Sequence, residues 1–263
     1  MIKTILDNIK ESDVITDPFP YVVVENVLPE SVCDQLIAEL PPLEVLTHNE
    51  PLGNNTRFDF TVGDERRLHK LSPLWKEFLE NQAGEDFFRN FVRLFGRHIE
   101  RIHPHLIEKF GPLSTWNIGN RFLDTHDDKT ILLDAHIGTN TPTFGKPSSV
   151  REGHLDDPKK LYGALLYLRL PEDNSDGADL VLYKYKNPNN KKFFGQAIGQ
   201  KYIEEIGRVK YKKNSLIFFL NTIDSLHGVT RRGVGPTSRH FLNLVGEMND
   251  PIFDIASLQE NVW

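Results

Sequence analysis

The chain has little of what would place it in several common classes of protein. Its 263 residues contain a single cysteine, Cys33, so a framework of intrachain disulfides is excluded. No apolar run approaches the roughly 18 residues that a membrane-spanning helix needs. Positive charge is also scarce, since 31 Lys and Arg oppose 37 Asp and Glu and leave a net charge of −6. A membrane partner and a nucleic-acid partner are therefore not expected.

What remains is the composition of an ordinary globular protein, with 39% hydrophobic and 26% charged residues. No repeat or compositional break divides the chain, which predicts a single domain over 1–263. The first residues lack the continuous apolar segment of a secretory signal, and the lone cysteine suits a reducing compartment. A cytoplasmic location is therefore predicted, whereas nothing in the sequence indicates an oligomeric state.

The N-terminal part, about 1–112, predicts one strand and several supporting helices. The β-branched run 21–24 predicts a strand at an edge of the main sheet. A first helical pattern starts near residue 30, and a second starts at Ser72-Pro73, with serine as the N-cap. Aromatic residues recur at helical spacing over 87–95, which favours core packing over cofactor binding. These helices are expected to pack on the main sheet.

From about 113 to 247 the sequence changes to short β-rich runs separated by turn residues. Such spacing predicts an antiparallel sandwich or barrel, and so an α+β fold that is mainly β, with functional residues lining its interior. Runs 165–168 and 180–183 predict a hairpin. The Asn- and Lys-rich segment 187–192 predicts a solvated loop, with a lid over the site as the alternative. Residues 248–263 form the predicted C-terminal tail.

One pair of residues in this β-rich region has the spacing of metal ligands. His154 and Asp156 are two positions apart, and in an extended strand positions i and i+2 point to the same face. A second histidine, His227, follows 73 residues later (227 − 154), just beyond an apolar run that ends at Leu220. The three side chains are therefore candidates for a single metal site.

Two histidines and one carboxylate are the facial ligand set of non-haem Fe(II) oxygenases, in which three coordination positions stay open. Those positions accept a bidentate cosubstrate and dioxygen. A structural zinc site would instead be closed by four ligands, usually with thiolates, and the chain has one cysteine. The pattern thus favours catalytic iron over structural zinc.

The order of these features resembles that of the 2-oxoglutarate- and Fe(II)-dependent oxygenases, particularly the prolyl-hydroxylase-like branch. The resemblance covers roughly 130–247, and the opening Pro-Phe-Pro-Tyr segment is also similar to that branch. It is carried by four features: His154-X-Asp156, Gly177-X-Asp179-Leu180, Ser225-X-His227-Gly228-Val229, and a basic residue, Arg239, at the start of the last core strand. Ala178 departs from the branch, which often has a second glycine there.

The resemblance implies a double-stranded β-helix, also described as a jelly-roll or cupin-like core. It implies Fe(II) bound by His154, Asp156 and His227, with 2-oxoglutarate and O2 as cosubstrates and ascorbate as a candidate reductant. In that family a basic residue about ten positions beyond the distal histidine pairs with the far carboxylate of 2-oxoglutarate. Arg239, twelve positions beyond His227, matches that role, and guanidinium can hold a carboxylate through two parallel hydrogen bonds.

The resemblance also predicts the reaction. Related iron halogenases replace the ligand carboxylate with a small residue, so Asp156 favours hydroxylation of a small molecule, an amino acid or a peptidyl residue, with release of succinate and CO2. Desaturation or ring formation on the same iron stays an alternative. A catalytically silent barrel that serves as a binding or scaffold protein is the alternative from a different class, and a cupin-type metal enzyme would not need Arg239.

Four further residues are candidates for substrate binding. Asp134 and His136 lie on the run expected to enter the barrel before the metal-bearing segment, and a satisfied polar strand edge is the alternative. Arg151, three residues before His154, is a candidate to recognise an anionic group or to form a salt bridge at the rim. Arg232 lies in a turn rich in Gly and Pro, where a solvated loop charge is the alternative.

Overall fold

The computed structural model describes residues 4–61, 69–149 and 151–258. Within these ranges the helices are α1 (Glu30–Ala38), α2 (Leu43–Leu46), α3 (Pro73–Gln82), α4 (Glu85–Ile102) and α5 (Pro104–Phe110). The strands are β1 (Tyr21–Glu25), β2 (Arg57–Thr61), β3 (Ile118–Asn120), β4 (Ile131–Asn140), β5 (Lys160–Tyr167), β6 (Leu180–Tyr185), β7 (Phe193–Phe194), β8 (Ala197–Ile198), β9 (Ile203–Val209), β10 (Ser215–Leu220), β11 (His227–Val229) and β12 (Arg239–Met248). The described part of the chain is therefore mainly β, with its α-helices before residue 111.

The main sheet has seven strands, in the order β1-β10-β5-β12-β4-β2, and β3 pairs with β4 in parallel. The other neighbours pair antiparallel, and the β12–β4 pair runs over ten residues. The prediction that 21–24 forms an edge strand is confirmed, because β1 pairs only with β10 among the described strands. The strand β2, which was not predicted from the sequence, pairs with β4 and forms the opposite edge of the main sheet.

A second, smaller sheet has the order β11-β6-β9. The predicted hairpin of 165–168 with 180–183 is wrong, because β5 pairs with β10 and β12, whereas β6 pairs with β9 and β11. After β5 the chain crosses from one sheet to the other instead of turning back in the same sheet. His154 extends the second sheet, since it forms antiparallel bridges with His227 and Ala197.

The strand β10 shows how the main sheet is buried on both faces. Successive side chains of a strand point to opposite faces. Ile217 and Phe219 join an apolar cluster with residues of the second sheet, such as Leu180. Leu216 and Phe218 join a larger cluster with the helices. The main sheet therefore separates two apolar layers, and the layer toward the second sheet is where a pocket lies.

The helices form where local signals predict them. Ser72 caps α3, and its hydroxyl accepts a hydrogen bond from the Trp75 backbone N–H at 3.3 Å. In α4, Phe91 packs against Tyr162 and Phe218 of the main sheet, with ring centroids 4.7 and 5.7 Å apart. The interpretation of the α4 aromatics as core residues is therefore confirmed. None of the helices in the described ranges is both long and apolar enough to span a bilayer.

Candidate metal centre and its pocket

The fold brings the three predicted ligands together. The coordinating atoms of His154, Asp156 and His227 all lie within 4.8 Å of one another. His227 begins β11, and its antiparallel bridge to His154 fixes the two imidazoles side by side, with ring centroids 4.3 Å apart. All three residues are buried. Residues that are 73 positions apart in the chain thus face one point between the two sheets.

Backbone carbonyls orient both imidazole rings. The Nδ1 atom of His154 lies 2.7 Å from the carbonyl oxygen of Glu152, and that of His227 lies 2.9 Å from the carbonyl oxygen of Ser225. A carbonyl oxygen can only accept, so Nδ1 is the protonated nitrogen in each ring. The Nε2 lone pairs are therefore left for a metal ion, the arrangement that outer hydrogen bonds give to metal-binding histidines.

The electrostatics of the site hold the three groups in the states that bind metal. Burial lowers the pKa of His154, and the neighbouring His227 lowers it further; burial also lowers the pKa of His227. For Asp156, burial raises the pKa, but the charge of Lys160 and the other nearby groups lower it more, so the net pKa is well below the ordinary value. Neutral imidazoles and an ionised carboxylate are what a metal ion requires.

A glycine makes room for the carboxylate ligand. A Cβ atom added at Gly163 on β5 would lie 3.0 Å from Oδ2 of Asp156 and 2.8 Å from the ring of Phe219. Phe219 in turn packs against the His227 imidazole, with centroids 4.7 Å apart. The absence of a side chain at 163 therefore lets the main sheet approach the ligand set closely.

The ligand set opens into a pocket of about 370 Å³ between the two sheets. The main sheet and the second sheet both line it, with apolar residues such as Leu165, Leu180, Val229 and Phe241 between the polar ones. A cleft that combines apolar walls with convergent polar groups is the usual form of a small-molecule site.

Arg239 begins β12 and contributes a buried guanidinium to this pocket. It is 4% exposed and lies over the rings of Tyr167, Tyr211 and Phe241, at 5.0, 5.2 and 4.7 Å from their centroids. Its Nη1 donates to Oδ1 of Asn140 at 3.2 Å. Its Nε and Nη2, and Nδ2 of Asn140, have no hydrogen-bond partner among the residues that the structure describes. Buried donors without partners are costly, so this end of the pocket is suited to an anionic acceptor.

Asp134 and His136 lie on the buried strand β4, as the sequence predicted. The Nδ1 atom of His136 is 2.8 Å from Oδ2 of Asp134, and its Nε2 is 3.5 Å from Oδ1 of Asp59. The Asn243 amide is satisfied when its oxygen faces Nε2 of His136 at 2.8 Å. His136 lines the pocket. Asp134 contacts His136 outside the pocket lining, and its Oδ2 is 3.7 Å from Nη1 of Arg121. A role in substrate binding stays a prediction for both residues.

Arg151 and Arg232 both line the pocket but differ in environment. The side chain of Arg151 is 42% exposed, and its Nη1 lies 3.4 Å from Oδ1 of Asp156. Arg232 is 2% exposed, and its Nη2 donates to Oδ2 of Asp173 and to the carbonyl oxygen of Thr237, at 3.0 and 2.9 Å. The alternative of a solvated loop charge at Arg232 is therefore wrong, because internal partners neutralise and enclose it. Substrate contact by either arginine stays a prediction.

Several polar residues in the pocket, or in contact with its lining, were not predicted from the sequence. Lys160 lies 3.5 Å from Oδ2 of Asp156, and Gln196 accepts a hydrogen bond from Arg151. The strand β2 supplies Arg57 and Asp59, which are joined by a hydrogen bond of 3.0 Å. The alternation of polar and aromatic residues over 57–61 is a strand signal that was available in the sequence. No comparable signal pointed to Lys160, which only the folded chain brings to the pocket, or to Gln196, which contacts Arg151.

Among known proteins, the similarities found are to solved structures and not to sequences. No protein-family model matches the chain, and no curated protein matches its sequence. The structure is similar to that of a bsmA homologue from Methylobium petroleophilum PM1, with a TM-score of 0.50 and 10% identity over 92% of this chain and 96% of that one. A prolyl 4-hydroxylase from Phytophthora capsici gives a TM-score of 0.49 at 14% identity over 93% of this chain, which spans 62% of that chain.

The non-haem, α-ketoglutarate-dependent carbocyclase SnoK from nogalamycin biosynthesis gives a TM-score of 0.49 at 11% identity, over 95% of this chain and 88% of that one. A prolyl 4-hydroxylase from Pseudomonas putida is also among the similar structures, with a TM-score of 0.44 at 13% identity. At 10% identity, the similarity to the bsmA homologue shows that the chain shares its fold.

Proposed function

We propose that the protein is a 2-oxoglutarate- and O2-dependent Fe(II) oxygenase built on a double-stranded β-helix. One observation carries the proposal: a buried facial set of two imidazoles and a carboxylate shares a pocket with a buried, incompletely bonded guanidinium. The sheet pairing supports the fold, because β4, β5, β10 and β12 face the second sheet, which His154 extends beyond β11.

In this proposal His154, Asp156 and His227 hold Fe(II). The donor set fits, since two Nε2 lone pairs and one carboxylate oxygen converge and leave one side open to the pocket. Lys160 and Arg151 keep the carboxylate ionised and ready to bind the metal. The ring of Phe219 shields one side of His227 from water.

Arg239 and Asn140 bind the far carboxylate of 2-oxoglutarate in this proposal. Their unpartnered nitrogens gain acceptors when a carboxylate enters, and the three rings around the guanidinium fix its orientation. When bound together, Fe(II), 2-oxoglutarate and O2 supply the oxidising power to attack an unactivated C–H bond, with succinate and CO2 as products. The side chains of the pocket choose which bond is attacked by orienting the substrate.

Hydroxylation of a small molecule, an amino acid or a peptidyl residue is the proposed outcome, because Asp156 fills the carboxylate position. Desaturation or cyclisation requires the same site and differs only in how the substrate is held. A silent scaffold is less well supported, because it would have no use for the unpartnered buried donors of Arg239 and Asn140. The need for ascorbate and the cytoplasmic location stay predictions from the sequence.

Anaerobic titration of the metal-free protein with Fe(II) tests the metal site. One tightly bound Fe(II) per chain is expected, with at least a hundredfold loss of affinity when His154→Ala is combined with Asp156→Ala. His105→Ala is the matched control, because this histidine is exposed and lies outside the pocket. Unchanged Fe(II) affinity in the double variant would contradict the proposal.

A second titration tests the cosubstrate site. Addition of 2-oxoglutarate to the anaerobic Fe(II) protein is expected to give a visible charge-transfer band, as chelation of the iron produces. Arg239→Met is expected to keep Fe(II) and to weaken 2-oxoglutarate at least about tenfold, since it removes a charge-assisted pair. Arg89→Met, which changes an exposed arginine on α4, serves as the control. Equal 2-oxoglutarate affinity in the Arg239 variant would remove that residue from the proposal.

A further inference from the structure

The pocket carries a concentration of positive charge in an acidic protein. The whole chain has a net charge of −6, yet six basic residues and only two carboxylates line this pocket. Among the described residues, the basic ones that line it are Arg57, Arg121, Arg151, Lys160, Arg232 and Arg239, and the carboxylates are Asp59 and Asp156. A cleft lined with one sign of charge between low-dielectric walls focuses the field and attracts ligands of the opposite sign.

Some of these charges are balanced by partners outside the pocket. Arg232 pairs with Asp173 at 3.0 Å, and Nη2 of Arg121 lies 2.8 Å from Oε2 of Glu247. Arg239 is accounted for by the proposed cosubstrate. The basic groups that remain are Arg57, Arg151 and Lys160.

Arg151 and Lys160 share a single carboxylate. Nη1 of Arg151 lies 3.4 Å from Oδ1 of Asp156, and Nζ of Lys160 lies 3.5 Å from Oδ2 of the same side chain. Arg57 lines the same pocket as these two cations. One acidic group therefore serves two cations, and a third cation lies within electrostatic reach.

Arg57 approaches from β2 of the main sheet. Its Nε is bonded to Asp59 at 3.0 Å, its Nη2 reaches the oriented Asn243 oxygen at 3.1 Å, and its guanidinium lies 5.1 Å from the centroid of the Phe241 ring. The side chains of Arg57 and Arg151 are 36% and 42% exposed. Arg57 therefore lies on the main sheet and Arg151 on the segment before His154. Both guanidiniums are partly exposed to solvent where they line the pocket.

We propose that the primary substrate carries an acidic group, a carboxylate or a phosphate, which binds between Arg57 and Arg151 beside the metal centre. This inference rests on the proposed function and names the substrate class for the same site. An anion between the two guanidiniums replaces their mutual repulsion with charge-assisted hydrogen bonds, and guanidinium geometry suits both kinds of oxyanion. The C–H bonds near that acidic group are then the ones that face the metal ligands.

Matched ligand pairs test the proposal by isothermal titration of protein loaded with Mn(II) and N-oxalylglycine, which prevents turnover. One set compares free amino acids and hydroxy acids with their carboxamides, and the other compares phosphate monoesters with the parent alcohols. At least one acid is expected to bind about tenfold or more tightly than its uncharged partner. The set that contains the binder distinguishes carboxylate from phosphate. Equal affinities within every pair, or binding confined to uncharged compounds, would overturn the inference.

Variants then locate the acidic group. In variants that still bind Mn(II) and N-oxalylglycine, Arg57→Met and Arg151→Met are each expected to weaken the acid at least about tenfold relative to its uncharged partner. Arg151→Lys keeps the charge and is expected to restore part of the affinity. Arg208→Met, on an exposed arginine of β9 that does not line the pocket, is the matched control. If both methionine variants melt like the wild type and bind the acid as tightly, the site is wrong.

The two proposals fail differently. Loss of the proposed function would appear first, as absence of Mn(II) or N-oxalylglycine binding to the wild-type protein. If both bind but no acidic compound is preferred, only the inference about the substrate fails.

Discussion

Arg232 is enclosed on all sides, and its charge is balanced within the protein. Its Nε donates to Oγ of Ser175, and its Nη2 donates to Oδ2 of Asp173, both at 3.0 Å. These two bonds tie the segment before β12 to the segment after β5, and a third contact, from Nη2 to the carbonyl oxygen of Thr237 at 2.9 Å, lies within the segment before β12. Arg232 therefore links these two segments.

We predict that Arg232→Met destabilises the protein strongly. Removing one partner of a buried ion pair leaves the other charge, here Asp173, without compensation, which costs about 3–5 kcal/mol. For a chain of this size that corresponds to a fall in melting temperature of roughly 10 °C. Differential scanning calorimetry measures the shift.

The exposed pair of Arg208 and Glu205 provides the control for this prediction. Its two atoms are 2.5 Å apart, but both side chains are more than a third exposed. Arg208→Met is therefore expected to leave the melting temperature unchanged. The double variant Arg232→Met with Asp173→Asn is expected to recover part of the loss, because it removes the buried unpaired charge. Similar melting temperatures for Arg232→Met and Arg208→Met would contradict the structural role.

At the scale of elements, the crossing between the sheets depends on one close backbone approach. Gly177 has φ of +74°, and a Cβ atom there would lie 2.0 Å from the carbonyl oxygen of Arg231. Only glycine can adopt this conformation and leave room for that carbonyl. The crossing segment after β5 therefore has to meet the chain beyond β11 at this point.

Gly177→Ala is expected to lower the free energy of unfolding by about 3 kcal/mol or more, because it adds a backbone clash to the strain of a positive φ. Gly195→Ala is the matched control: its φ is +60°, but a Cβ atom would meet nothing within 4 Å. That variant is expected to lose only about 1 kcal/mol, from backbone strain. Urea unfolding of both variants separates the clash from the strain. Equal losses would show that the contact with Arg231 is unimportant.

The elements differ in how much of them the sequence could predict. Local patterns sufficed for the N-cap Ser72, the edge strand β1 and the i, i+2 placement of His154 and Asp156, because these depend on neighbours along the chain. Which strands pair is decided by long-range packing instead. The run 180–183 has the same alternation whether it turns back on β5 or crosses to β9 and β11, so the hairpin prediction failed.

The residues of the pocket also differ in how far the sequence could predict them. The ligand set and the place of Arg239 at the start of the last core strand follow from order along the chain. The places of Lys160 and Arg57 in the pocket could not be predicted, because each reaches it from a strand whose pairing depends on the whole fold, even though β2 itself has a local signal. The enclosure of Arg232 likewise requires Asp173, which lies 59 residues away in the chain.

For the whole molecule, buried histidines link stability to pH. Burial lowers the pKa of His103 to about 4, despite a hydrogen bond between its Nε2 and the carbonyl oxygen of Asn221. Burial also lowers the pKa of His240 to about 4, and the charge of Arg232 adds to that shift. Both histidines are therefore neutral in the folded protein over a range in which an unfolded chain takes up protons.

We predict that the free energy of unfolding of the metal-free protein falls as pH decreases from about 6.5 to about 4. In this window the unfolded chain binds more protons than the folded one, so each proton taken up favours unfolding; below about pH 4 both states are protonated and the contribution levels off. The loss is on the order of 2–3 kcal/mol per buried histidine.

Urea unfolding at a series of pH values measures how steeply the free energy of unfolding depends on pH. The double variant His103→Gln with His240→Gln is expected to flatten it, whereas His105→Gln, on an exposed histidine, keeps it. Since His154 and His227 stay in every variant, their own contribution cancels, and an unaltered slope in the double variant would contradict the prediction.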